Sequence, residues 1–245
     1  MNLILIRPEE LPAGGLPGRV VLHGRRAEHV CTVHRAAVGD VLQVGVIGGA
    51  MGEGIVAKLD AESVALDVDP LENAPPPKLP LTLVLALPRP RVLKRCLSAA
   101  AALGVEHLIL LGAWRVEKSY WQSPVLAERE HYLSLGLEQA RDTLLPEVMI
   151  RKRFKPFAED ELPQFCRGSR ALVAHPLSTE CPEAVDAGAL PLDRERPTLL
   201  AIGPEGGWLP YEVDKLRAAG AAPIHLGPRI QRVEVALAAL IGKLF

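Results

Sequence analysis

Two segments near the carboxyl end of the chain combine residue types that could bind a ligand and act on it. The GPEGG loop, residues 203–207, directly follows an apolar run and contains three glycines. Without Cβ atoms, such a backbone can pass close to a flat ligand. Residues 226–236 (LGPRIQRVEVA) place Arg229, Arg232 and Glu234 close together near a predicted helix start. Both segments also fit plain strand-to-helix connections, with the charges as a solvated ion pair that suits the helix dipole.

Predicted strands and helices alternate around these two segments. The strands are apolar runs, at residues 81–87, 107–111, 171–174, 198–202 and 223–226. The helices follow an apolar stripe with helical spacing, at residues 90–103, 124–144, 211–219 and 233–244. This alternation predicts an α/β domain with a parallel sheet. Because ligands of open α/β sheets bind beyond the carboxyl ends of the strands, we expect both segments at a binding edge.

The first third of the chain has a different sequence pattern. Short strands bounded by turn residues are predicted at 19–22, 41–46, 55–59 and 63–68, with one helix at 27–36. This pattern favours a small, largely antiparallel barrel. Residues 72–78 contain three consecutive prolines and are predicted to form a stiff linker. The expected organisation is therefore a barrel at 1–71, a Pro-rich linker at 72–78 and an α/β domain at 79–245.

Composition excludes several classes of protein. The 245 residues include 28 Lys and Arg against 29 Asp and Glu, so the chain is not a globally basic nucleic-acid coat. Aromatic residues make up only 4%, which argues against a protein that mainly stacks bases. The four cysteines lack metal-site spacing and predict free thiols in a reducing cytoplasm, with no metal. No run approaches the roughly 20 apolar residues of a membrane helix, and Arg7 and Pro8 interrupt the apolar opening.

Four segments together resemble the ribosomal RNA small subunit methyltransferase E family, which belongs to the SPOUT class of S-adenosylmethionine-dependent methyltransferases. The similar segments are 28–40 (EHVCTVHRAAVGD), 138–141 (EQAR) with Pro146, the GPEGG loop and 226–236. They occur in the family's order and span nearly the whole chain. The resemblance implies that 1–71 is a PUA-like barrel that helps to hold RNA. It also implies that 79–245 is a methyltransferase domain with a carboxyl-terminal trefoil knot.

The resemblance further implies a cytoplasmic homodimer that methylates N3 of a uridine in 16S ribosomal RNA, either free or within the small ribosomal subunit. S-adenosylmethionine would bind in the knot, against three loops. The residues implied for cofactor binding are His175, Pro176, Ile202, Gly203, Pro204, Glu205, Gly206, Gly207, Leu226, Gly227 and Ile230. RNA contacts are expected at basic side chains, namely Arg7, Arg35, Arg89, Arg95, Arg115, Lys118 and Arg141. Each of these could instead be a solvated surface charge.

The implied reaction defines roles for two residues. Uridine N3 carries a proton and lies in the base-pairing edge, so the base must be unpaired or flipped out. Glu234 is the candidate proton acceptor, and Arg232 is the candidate for stabilising negative charge on the base oxygens. Alternatively, Glu234 only orients Arg232 through an ion pair.

The chain departs from the family's usual RILRTETA pattern. Val233 and Val235 replace both threonines, and Gln231 replaces a leucine. Leu209 occupies the position of a serine that usually follows the aromatic step. Two alternatives therefore stay open: the same fold methylating a different RNA position, and a non-catalytic RNA-binding or ribosome-assembly factor. An α/β enzyme for another nucleotide ligand is a third reading.

Overall fold

A computed structural model describes residues 2–177 and 181–245, so Met1 and residues 178–180 lie outside the described part. The chain forms two compact units, Met1–Pro77 with Ser134–Leu145, and Lys78–Leu133 with Pro146–Phe245. Residues 134–145, which the sequence places in the second domain, pack with the first unit. The backbone N–H groups of Asn2 and Leu3 donate to the Glu138 carbonyl oxygen at 2.9 and 3.0 Å. The backbone N–H of Gly48 donates to the Thr143 carbonyl oxygen at 2.8 Å.

The first unit contains a five-stranded sheet. Its strands are β1 (Ile4–Ile6), β2 (Gly18–His23), β3 (Val41–Val46), β4 (Met51–Leu59) and β5 (Ser63–Val68). They are ordered β1-β3-β4-β5-β2, with β1 parallel to β3 and the other pairs antiparallel. All four strands predicted in this region lie in the sheet, whereas β1 was not predicted. Among the described residues no pairing joins β1 to β2, so a closed barrel is not shown by the ladder.

The helical segment of this unit begins three residues before the predicted range of 27–36 and ends two residues before its end. Helix α1 covers Gly24–His29 and continues as a π-helical turn over Val30–His34. The segment ends at Arg35, whose φ of +52° lies in the left-handed region.

The second unit contains a seven-stranded, fully parallel sheet, as the sequence predicted. Its strands are β6 (Leu79–Ala86), β7 (Val105–Leu111), β8 (Glu147–Arg151), β9 (Arg170–Ala174), β10 (Val185–Asp186), β11 (Thr198–Ile202) and β12 (Ala222–His225). Their order is β10-β12-β9-β11-β6-β7-β8. β8 and β10 were not predicted. From β6 the chain adds β7 and β8 on one side of the sheet, whereas β9 to β12 all lie on the other side, next to β6 through β11. Such a change in the side on which strands are added is a topological switch point, where α/β sheets bind ligands.

In the part of the chain that the structure describes, seven more α-helices follow α1. They are α2 (Pro90–Ala102), α3 (Pro124–Ala127), α4 (Arg129–Ala140), α5 (Phe154–Pro156), α6 (Leu162–Cys166), α7 (Pro210–Ala218) and α8 (Val233–Leu244). The single helix predicted at 124–144 is wrong, since Glu128 separates α3 from α4 and Arg141 follows α4 with a φ of +57°. Within residues 2–177 and 181–245, no helix has the length and apolar character needed to span a membrane.

Helix α2 shows how the sequence positions the switch point. Pro90 occupies its first turn, where the missing N–H has no intrahelical partner to lose. Leu93, Cys96, Leu97 and Ala100 are buried and recur at helical spacing. This stripe fixes α2 so that its amino end lies immediately after β6.

Candidate functional site: a cavity at the switch point

A cavity of about 590 Å³ lies at the carboxyl ends of β9, β11 and β12 and reaches the amino ends of α2 and α8. Its volume falls within the range of small-molecule sites, which is about 300–1,000 Å³. The structure brings all eleven residues expected to bind the cofactor to this one cavity: His175, Pro176, Ile202, Gly203, Pro204, Glu205, Gly206, Gly207, Leu226, Gly227 and Ile230. Arg232, Glu234, Arg89 and Arg95 also line it.

Ten further residues line the cavity without having been assigned to it. They are Val92, Ala174, Trp208, Ile224, His225, Arg229, Gln231, Val233, Ala236 and Leu240. Most are apolar residues at strand ends or on helical stripes. Four of them, Arg229, Gln231, Val233 and Ala236, lie within segment 226–236, which the sequence indicates as a possible binding segment. For the other six, position beside the predicted loops is the sequence signal.

Glycine is required in the GPEGG loop because the chain passes very close to neighbouring groups. A Cβ added to Gly203 would lie 3.1 Å from the backbone nitrogen of Trp208 and 3.2 Å from Cδ1 of its indole ring. A Cβ on Gly206 would lie 2.9 Å from Cδ of Arg115. Gly207 has a φ of +74°, a conformation that favours glycine. The loop therefore forms a wall of the cavity in which three of the five residues have no side chain.

Two polar contacts fix the GPEGG loop to other elements. The Arg89 N–H, at the start of α2, donates to the Glu205 carboxylate at 3.0 Å. The Arg115 guanidinium donates to the Gly206 carbonyl oxygen. The structure thus shows a contact of Glu205 with the start of α2 and a contact of Arg115 with the loop, besides the ligand roles predicted for them.

The residues after the loop are fixed by a buried carboxylate. Glu212 is only 2% exposed, and its carboxylate accepts hydrogen bonds from the backbone N–H groups of Trp114 (2.8 Å) and Leu209 (2.9 Å). Leu209 occupies the N-cap position of α7, where the sequence lacks the usual serine. Glu212 therefore makes the half of a capping box in which the carboxylate accepts from the backbone N–H of the N-cap residue, whereas Leu209 has no hydroxyl to make the other half.

The arginine loop, residues 226–232, forms the opposite wall and is held differently. The Gly227 N–H donates to Nδ1 of His225 at 3.0 Å, and the Gln231 amide donates to the Arg229 carbonyl oxygen at 3.2 Å. These bonds are local. Ile230 is 84% exposed, and Arg229 and Arg232 are exposed as well.

The expected pair between Arg232 and Glu234 does not form in the part of the chain that the structure describes. Glu234 instead lies 3.0 Å from the Arg95 guanidinium, because α2 and α8 pack against each other, and Arg232 is the N-cap residue of α8. The backbone N–H of Glu234 and the nearby guanidinium groups of Arg95 and Arg232 hold the pKa of this carboxyl below its usual value. A carboxylate with a lowered pKa is a poorer proton acceptor at neutral pH.

The other residues expected to contact RNA are exposed but not gathered at the cavity. Arg7, Arg35 and Arg141 lie in the first unit, and Lys118 lies in the second. Arg35 and Arg141 are the two non-glycine residues with positive φ among those described. No group of three or more potential metal ligands occurs in the described residues, and the four cysteines are free thiols.

A glycine-walled cavity at the switch point of a parallel sheet defines an α/β protein that binds a small ligand at the carboxyl ends of its strands. Residues 75–244 match the RNA methyltransferase domain family, and the chain belongs to this family. The prediction of an RNA methyltransferase is confirmed.

Individual relatives agree with this assignment. The chain is 29% identical, over 98% of its length and 88% of the relative's, to a protein from Treponema pallidum named ribosomal RNA small subunit methyltransferase E. It resembles the solved structure of a protein of that name from Neisseria gonorrhoeae bound to S-adenosyl methionine, with a TM-score of 0.73, 20% identity and coverage of 99% and 95%. A putative methyltransferase from Legionella pneumophila with bound SAM gives the same TM-score and identity, with coverage of 99% and 96%. The two structures establish the shared fold, and the relatives' names confirm the resemblance seen in the sequence.

Proposed function

We propose that this protein transfers a methyl group from S-adenosylmethionine to N3 of a uridine in 16S ribosomal RNA. The observation that carries the proposal is the convergence of three loops, after β9, β11 and β12, on one cavity in a chain of the RNA methyltransferase domain family. The names of the relatives support small-subunit ribosomal RNA as the substrate. The S-adenosyl methionine bound in two structures of the same fold supports it as the methyl donor.

The cavity suits this donor. Its volume of about 590 Å³ and its glycine-rich lining at Gly203, Gly206, Gly207 and Gly227 leave room for a nucleoside-sized ligand. Ile202, Ile224 and Leu240 provide apolar surface beside them. When bound, S-adenosylmethionine supplies an electrophilic methyl group on a positively charged sulfur. The residues that would hold it are those named for the loops after β9, β11 and β12, with Glu205 acting through its bond to Arg89.

Arg232 is the group best placed to act on the substrate. It is exposed at the cavity, at the amino end of α8. Negative charge develops on the uracil oxygens as the N3 proton leaves, and a guanidinium stays charged and offers several donors to them. The target base must be unpaired to present N3 to the cavity.

Glu234 fits a positioning role better than that of a proton acceptor. Its carboxylate is bound to Arg95, and its pKa is lowered. We therefore assign Glu234 to holding the Arg95 guanidinium at the cavity wall, with the N3 proton leaving to solvent.

Glu234→Gln separates the two roles. The amide oxygen of glutamine still accepts a hydrogen bond from Arg95, so we expect kcat to stay within about tenfold of wild type, a loss of at most about 1.4 kcal/mol. The shape of the pH–rate profile should also be retained. A collapse of kcat together with loss of one limb of that profile would identify Glu234 as the base. Arg95→Ala is the matched variant, and a positioning role requires that it impair the enzyme at least as much as Glu234→Gln.

The finer architecture belongs to the same proposal. We infer that the five-stranded sheet is part of a PUA-like barrel, that the carboxyl-terminal segment forms the trefoil knot of the SPOUT class, and that the enzyme works as a homodimer in the cytoplasm. The open strand order of β1 to β5 and the parallel sheet of β6 to β12 are compatible with this architecture. Sedimentation equilibrium tests the dimer, since a single species of about 26.4 kDa would contradict it.

Mass mapping of ribosomal RNA tests the function itself. Small-subunit RNA from cells that lack the protein should lose one methyl group on one uridine and regain it when the gene is restored. Recombinant protein with S-adenosylmethionine should add that group in vitro. Methylation at another nucleotide would instead support the same fold with a different target. Cofactor binding without any methylation would support a non-catalytic assembly factor.

A further inference from the structure

We propose that Trp114 is a stacking platform for an unpaired RNA base that flanks the target nucleotide. This inference rests on the proposed function and adds a specific contact to it. Trp114 is 80% exposed, whereas Trp208 is 2% exposed and Trp121 is half-buried beneath the Lys152 ammonium group. A single exposed apolar residue is ordinary in itself, so the inference depends on how Trp114 is held and what surrounds it.

The backbone of Trp114 is fixed by the buried carboxylate of Glu212. The backbone N–H of Trp114 donates to one Glu212 carboxylate oxygen at 2.8 Å, and the backbone N–H of Leu209 donates to the other. Burying a carboxylate is unfavourable unless it is well hydrogen-bonded. Glu212 thus ties the backbone from which the exposed indole projects to the start of α7, so the position of Trp114 in the chain is fixed before RNA binds.

Trp114 also lies next to the rim of the cavity. The following residue, Arg115, donates to the carbonyl oxygen of Gly206, and its Cδ lies over the Gly206 Cα. Gly206 lines the cavity. Trp114 is the chain neighbour of Arg115, with their Cα atoms about 3.8 Å apart, and the Arg115 side chain contacts this wall of the cavity. A nucleotide next to a base held in the cavity can therefore reach the indole face.

The charges around Trp114 suit a nucleic-acid strand. Residues 112–122 carry Arg115 and Lys118, and the chain at Gly112 packs directly against the backbone of Lys152. The one acid of this segment, Glu117, accepts a hydrogen bond from the Tyr120 hydroxyl at 3.0 Å. An aromatic face among basic side chains is the usual arrangement for single-stranded nucleic acid, in which the bases stack and the phosphates pair with the cations.

The test measures the affinity of the full-length protein for a fluorescently labelled RNA oligonucleotide that contains the target uridine and its neighbours. Trp114→Ala should weaken binding about 5- to 150-fold, the range found for removal of one stacked base. Trp114→Phe keeps an aromatic face and should recover most of the affinity. The control is Leu192→Ala, another exposed apolar residue (68%), which lies beside Pro191 at the amino end of β9. This variant should bind RNA like wild type.

Abasic substitution of single flanking nucleotides makes the test specific. At the stacked position, an abasic site should weaken wild type but leave Trp114→Ala unchanged. Equal weakening of both proteins at every flanking position would overturn the proposal, as would wild-type affinity in Trp114→Ala. A change in the sedimentation mass of Trp114→Ala would also overturn it, by showing that a second copy of the chain covers this residue.

Calorimetry with S-adenosylmethionine keeps this result separate from the proposed function. Trp114→Ala should bind the donor like wild type. Failure of the wild-type protein to methylate any RNA would refute the function, whereas wild-type methylation with an unaltered Trp114→Ala variant would refute only the platform.

Discussion

The GPEGG loop and the arginine loop form two walls of one cavity but are stabilised in opposite ways. The GPEGG loop is held from outside by Arg89 and Arg115, and the chain that follows it is held by Glu212. Among residues 2–177 and 181–245, the side-chain hydrogen bonds of the arginine loop join near neighbours in the chain, and Ile230 is 84% exposed. Fixed groups can act on a ligand without a further loss of entropy, whereas weakly held segments can adapt. We infer that the first wall shapes the donor site and that the second adjusts to RNA.

The largest effect is expected on the fixed side, from Glu212→Ala. Removing this carboxylate eliminates the α7 cap and leaves the Trp114 N–H without its acceptor. The free energy of unfolding should fall by about 2–4 kcal/mol. Urea denaturation measures the change. Asp214→Ala, on the same helix at an exposed position, is the control and should cost less than about 0.5 kcal/mol. A loss for Glu212→Ala as small as that of the control would show that the loop is not held in this way.

A pair of glycine substitutions sharpens the comparison between the walls. In Gly203→Ala the new methyl group meets Trp208 backbone and ring at 3.1–3.2 Å, so stability should fall by about 1–3 kcal/mol and donor binding should weaken at least tenfold. In Gly227→Ala no atom lies within 4 Å, and only the φ of +84° is unfavourable, at about 1–2 kcal/mol.

Asparagine substitutions at the same two positions distinguish steric crowding from an unfavourable φ as the cause of the lost stability. Asparagine tolerates the left-handed region, so Gly227→Asn should recover part of the stability lost in Gly227→Ala, whereas Gly203→Asn should be worse than Gly203→Ala. Donor affinity is measured by calorimetry and stability by thermal unfolding. The opposite order of rescue would contradict the contrast between a crowded wall and an open one.

The smallest effect is a pH dependence from Glu234, on the helix that follows the arginine loop. Its pKa is lowered in the folded protein, so its contribution to stability is complete above the unfolded pKa, about 4.3, and disappears as pH falls through the lower folded value. The stability difference between wild type and Glu234→Gln should therefore favour wild type at pH 7 and shrink on acidification below about pH 4. Denaturation at both pH values checks this, and a difference that grows on acidification would contradict the lowered pKa.

Much of the fold could be predicted from the sequence because its signals are local. The buried strands β6, β7 and β11 are short apolar runs, and Pro90 and Gly104 mark the ends of the α2 segment. β8 and β10 were missed since β8 has no fully buried residue and β10 has only two residues. The break between α3 and α4 was missed because apolar residues continue at helical spacing across it.

The lining of the site could be predicted, but the contacts that hold it could not. Both predicted segments follow strands of one parallel sheet, so their meeting at its carboxyl edge follows from topology. The bonds from Arg95 to Glu234, Arg89 to Glu205 and Arg115 to Gly206 join residues 139, 116 and 91 positions apart. Such pairs depend on how helices and loops pack, and a single sequence does not reveal them.

A crystal structure of the protein with S-adenosylmethionine tests the central claim most directly. The donor should lie in the cavity between the two walls, with the bonds of Glu205 to Arg89 and Arg115 to Gly206 unchanged and any movement confined to residues 226–232. A donor bound elsewhere, or a GPEGG loop that breaks both bonds to admit it, would contradict the account.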